Sequence, residues 1–195
     1  MKRALNHCCN LVEMQVARLA YRLRGLADDA SGVSAVEFAL LLPVMVTLYL
    51  GTVEISQGIA ADRKVSLTTR TVADLVSQVT SINNADMTNS LGAASTVMSP
   101  FSASNLKVTV SSVKIDANGN ATIDWSDTLN GTAHSKGETV TLPTALKVAN
   151  SSLIWSEVSF SYKPTIGYLI SGTLSLKDQI YMRPRLSDSV ARTAS

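Results

Sequence analysis

Five residues near the start of an apolar run carry the chemistry that this chain offers: Gly32, Val33, Glu37, Phe38 and Pro43, within "GVSAVEFALLLPV". A carboxylate entering a bilayer costs about 2.5–3.5 kcal/mol at a helix centre on insertion scales, and less toward the interface. Glu37 therefore needs compensation. If the bond between Gly32 and Val33 is cut, a new α-amino group stands four residues before Glu37. On a helix those two groups share a face, one turn apart, and they carry opposite charge. The pair can form within one chain, or between the amine of one chain and Glu37 of a neighbour. The second arrangement makes the carboxylate a device for register between subunits. The rival reading is an uncleaved anchor whose glutamate is hydrated by headgroup water. Pro43 has no N–H for the Ala39 carbonyl, so a helix should kink or loosen there.

Other chemistry is sparse. His7 belongs to the N-terminal leader, which leaves His134 as the only imidazole beyond the apolar run. It sits in a polar stretch and reads as a solvated side chain; a Ser-His-Asp arrangement through it is the weaker alternative. The chain has no G-x-S-x-G elbow, no glycine-rich phosphate loop and no H-E-x-x-H helix. "DANGNATIDWSD" sets Asp116, Asn118, Asn120 and Asp127 at calcium-loop positions, but Ala121 stands where that loop needs glycine. A β-hairpin with Asn118-Gly119 supplying positive φ angles fits better. The only cysteines, Cys8 and Cys9, precede the apolar run, so the remainder has no disulfide and no thiolate metal site. They are incidental residues or acylation sites. No catalytic residue, cofactor or metal is expected, and the chain is not read as an enzyme. A net charge of +2 and an aromatic content of 5% argue against a nucleic-acid partner.

The elements that position the motif follow from periodicity. Residues 1–32 form a basic leader in which Val12, Val16, Leu19, Leu23 and Leu26 mark one helical face. It reads either as an amphipathic helix on an anionic inner leaflet or as a solvated segment. Residues 33–61 are expected to be a transmembrane helix, with Glu37 and Glu54 inside it. Lys2, Arg3, Arg18, Arg22 and Arg24 precede it and Arg63, Lys64 and Arg70 follow, which favours a cytoplasmic N-terminus. A secretory signal cleaved near Gly58-Ile59-Ala60 is the competing interpretation. Residues 62–99 read as a helical stem, with Val65, Val72, Leu75, Val76, Val79 and Ile82 on one stripe. A short second helix is expected from Ala85, capped by Asn84. Residues 100–185 read as an antiparallel β domain of about four strands, and 186–195 as a C-terminal tail. The fold class is α+β: a long N-terminal helix followed by a small antiparallel sheet.

"GVSAVEFALLLPV" resembles the processing and assembly motif of class III prepilin signals. "SEVSFSYKPTIG…GTLSLKDQIYMRPR" resembles the closing strands of TadE-like minor pseudopilins of the tight-adherence (Flp) pilus system. "ATIDWS" and "VTLPTAL" are also similar, so the resemblance spans residues 31–185. TadG-like relatives share the first motif but are usually much longer. The resemblance implies a pilin-like subunit of the inner membrane, single-pass, with a cytoplasmic N-terminus and a periplasmic or extracellular C-terminal domain. It implies processing between Gly32 and Val33 by a prepilin peptidase, and assembly through Val33, Glu37 and Phe38. The implied partners are that peptidase, other pilin and pseudopilin subunits, and the inner-membrane pilus assembly platform. Family members often carry tyrosine where this chain has Phe38. The alternative is an unprocessed bitopic membrane protein whose β-rich domain binds other proteins.

Overall fold

The computed structural model describes residues 30–164, 166–167 and 171–193. The leader stripe from Val12 to Leu26, His7, Cys8 and Cys9 lie outside them. Helix α1 runs Ala30–Ser77, 48 residues, and continues through Pro43. The chain divides into two units, Met1–Leu50 and Gly51–Ser195.

In the first unit, residues 33–50 are mostly Leu, Val, Ala and Met, and no glycine or charge interrupts the run from Phe38 to Leu50. Val33, Val36, Phe38, Leu40, Leu41, Val44 and Leu48 are all exposed. A helix that is apolar all round and uncovered by protein suits lipid, not water. The Thr47 hydroxyl donates to the Pro43 carbonyl at 2.8 Å, which satisfies its own polar atom within the helix.

In the second unit α1 changes character. Ala61, Val65, Val72, Ala73 and Val76 are buried at the spacing of one helical face. Thr68 and Thr69 share that face, and their hydroxyls donate to the carbonyls of Lys64 and Val65. The helix stops at Ser77, whose hydroxyl donates to the Asp74 carbonyl while its own carbonyl accepts from the Arg185 amide. The apolar stripe does continue to Ile82, but Ile82 is strand, not helix: β1 is Ser81–Ile82. Helix α2 follows over Asn84–Met98, and its cap is Asn83, whose side chain accepts from the Asp86 amide at 2.8 Å. The expected cap at Asn84 is thus one residue late.

Four strands form the main sheet: β2 Leu106–Ile115, β3 Ala121–Leu129, β4 Ser151–Tyr162 and β5 Leu174–Met182. Their order is β3-β2-β4-β5, antiparallel throughout. The apolar alternation in β2 changes phase at Ser111-Ser112, from Leu106, Val108 and Val110 to Val113 and Ile115. One strand thereby serves two cores. Leu106, Val108, Val110, Ile154, Val158, Phe160 and Tyr162 meet α1 and α2 on one face. Val113, Ile115, Ile123, Leu153 and Trp155 face the other way, under Leu142 and Val140 of the long β3–β4 loop.

The hairpin between β2 and β3 is longer than the two-residue turn expected. Asp116 and Asn120 close it, and only Gly119 takes a positive φ, at 81°. The Asp116 carboxylate accepts from the amides of Asn118 and Asn120 at 2.8 Å each and from the Asn120 side chain. Its hydrogen bonds to Asn120 hold the Asp116 carboxyl below the usual range. The carboxylate thus serves the turn.

Residues 186–193 do not hang away as a tail. β6, Ala191–Arg192, pairs parallel with β1. Val190 is fully buried, and its carbonyl accepts from the Trp125 indole at 2.8 Å. The Arg192 guanidinium donates to Asp127 at 2.8 Å and to Asn84 at 2.6 Å.

Candidate functional site

The processing and assembly motif lies on the first turns of α1. Gly32 stands in open space, since a Cβ built there meets nothing within 4 Å. Val33 and Glu37 are both helical, four residues apart, and so lie on one face about 6 Å apart along the axis. Phe38 is exposed beside Glu37. Glu37 is exposed too, and has no ion-pair partner among the described residues.

The structure divides the expected anchor of residues 33–61. Glu54 and Ala61 are buried in the second unit, at 1% and 0% exposure. Gly58 lies beside the Tyr162 ring of β4. That leaves residues 32–50 as the stretch available to lipid, about 28 Å of helix, close to the thickness of a hydrocarbon core. Glu54 is accommodated by protein. The small residues at Gly58-Ile59-Ala60 lie inside unbroken helix, where a signal peptidase would find no extended segment.

A second constellation escaped sequence reasoning. His134 is not a solvated loop residue. Its ring stacks on Trp155 of β4, centroids 4.8 Å apart and planes inclined by 23°. Nε2 lies 2.7 Å from Glu157 of β4, and Nδ1 lies 3.4 Å from Glu138 on the same loop. Trp155 stacks in turn on Tyr181 of β5 and donates its indole N–H to Gln179. Burial lowers the His134 pKa, but hydrogen bonds and charge from Glu157, then Glu138, outweigh it and raise the group above its ordinary value. Both ring nitrogens face carboxylates, so neither is placed to take a proton from a hydroxyl nucleophile. The only sequence signal was the fixed offset from His134 to Glu138; Glu157 lies 23 residues further on, with Trp155 on the same strand, and a single sequence does not show that pairing.

Among the described residues no cluster of His, Cys, Asp and Glu has the geometry to hold a metal. α1 is the one described helix long and apolar enough to cross a membrane. Residues 32–74 match the family model described as TadE-like protein. The match opens on Gly32 and ends in the last turn of α1; the resemblance of the later strands lies outside it. Nothing matches among curated proteins or among solved structures.

Proposed function

We propose that this chain is a pilin-like, membrane-anchored subunit, trimmed behind Gly32 by a prepilin peptidase and taking part in assembly of a tight-adherence (Flp) pilus. The observation that carries it is that the family match opens on the glycine of the motif, Gly32, and runs on into a helix whose apolar residues from Val33 to Leu48 are exposed. In this reading α1 anchors the subunit in the inner membrane through residues 32–50, with the leader cytoplasmic and the β domain outside. Its partners are the peptidase, other pilin and pseudopilin subunits, and the inner-membrane assembly platform.

One observation favours the unprocessed binding module. α1 begins at Ala30, so the Gly32–Val33 bond already lies within helix, whereas peptidases generally act on extended backbone. Deletion of the gene in its own host separates the two. Loss of surface fibres, restored by the wild-type chain but not by Gly32→Val, supports the processed subunit. Fibres that persist without the chain, or are restored equally by Gly32→Val, support the binding module.

A further inference from the structure

A neutral imidazole has one N–H, yet His134 presents both ring nitrogens to carboxylates, Glu157 on Nε2 and Glu138 on Nδ1. Only the imidazolium can donate to both, and the same cation is favoured by the face of Trp155. We propose that His134 is a pH-sensitive latch: protonated, it holds segment 131–136 of the β3–β4 loop on the outer face of the sheet, and it releases that segment as the pH rises.

The groups around it fit this role. Glu157 reaches it from β4 and Glu138 from its own loop. Tyr181 of β5 stacks on Trp155, and its phenol is raised by burial and then by Glu157, so it stays neutral over the range in which histidine titrates. Lys107 of β2 and Lys177 of β5, with Asp178, line the adjoining cleft of about 630 Å³. Lys136 lies 3.6 Å from Asp124 and is not a competitor for Glu157.

The latch governs a defined part of the loop. Residues 137–140 are fixed independently, by backbone bonds between Ile123 and both Gly137 and Glu138, and between Val140 and Ala121. Upstream of them the attachments are the His134 ring, the His134 amide on Ser126 Oγ, the Ser135 amide and carbonyl on Glu138, and the exposed Lys136 ammonium near Asp124. Losing the proton removes one of the two ring contacts and the attraction to both carboxylates. The stabilisation is complete below the ordinary histidine pKa and is lost as pH rises through the raised folded value. Release widens the cleft and uncovers the Trp155–Tyr181 stack. On the topology proposed above, this domain meets the pH of its surroundings and not that of the cytoplasm. The latch itself belongs to the β domain and does not depend on processing or assembly.

The test uses the full chain in detergent micelles, with isotope labelling to follow the His134 ring and backbone amide exchange from about pH 5.5 to about pH 8.5. His134 should titrate above an unconstrained histidine. Protection of the His134 and Ser135 amides, corrected for intrinsic rates, should fall tenfold for each pH unit of that difference. The Ile123 and Val140 amides should stay constant, as an internal reference. Glu157→Gln should lower the midpoint, and His134→Gln should abolish the pH dependence. A His134 midpoint at or below the ordinary value, or protection unchanged across the range, overturns the latch. Both readings come from the wild-type chain, so a variant that fails to fold does not remove the test.

Discussion

Glu37 and His134 meet opposite circumstances. His134 has two carboxylates within the same fold, whereas Glu37 stands exposed on a helix suited to lipid, with no cation supplied among the described residues. In the proposed subunit, a free Val33 amine on a neighbour would offset much of the desolvation that an unpaired carboxylate would suffer. Glu37→Gln should therefore be processed and inserted but fail to co-assemble with pilin partners, and Glu37→Asp should fall between, since its reach is shorter. Co-purification from sheared fibres measures this, and normal incorporation of Glu37→Gln would leave the hydrated-glutamate reading in place. Arg192 makes the opposite kind of contact, inside the folded unit. Arg192→Met should lose the bonds to Asp127 and Asn84 and destabilise the β domain by about 1–3 kcal/mol in denaturant titrations. An unchanged midpoint would mean that β6 is held by its backbone pairing alone.

At the scale of elements, strong local signals were legible and long-range ones were not. α1 was legible because its apolar run is long and uncharged and the stripe that follows has helical period, and β2 to β5 because they alternate. The end of α1 was obscured because Val79 and Ile82 keep the period, yet Ile82 is claimed by pairing with the C-terminal strand β6. The end of the anchor was obscured for a similar reason. Ile55 and Ile59 prolong the apolar composition, while burial of Glu54 and Ala61 depends on strands 100 residues away. Pro43 lies in the span that remains. Removing its missing-donor defect with Pro43→Ala should leave insertion intact and change assembly, because a subunit leaving the bilayer is helped by a helix that yields there. Wild-type fibre yield from Pro43→Ala would assign the proline no such part.

The whole molecule reads as an anchor of residues 32–50 joined to a domain that uses both sheet faces. The basic residues are biased to the leader, five before the apolar run against three in the stretch just after it. A reporter active only outside the cytoplasm, fused after Ser195, should therefore be active, and an inserted but silent fusion would reverse the topology. The bond between Gly32 and Val33 is the central point, because the proposed countercharge for Glu37 exists only once that bond is cut. The decisive measurement is the intact mass and N-terminal sequence of the chain purified from host membranes. A chain that begins at Val33 is the expected result; a chain that retains residues 1–32 contradicts the processed subunit.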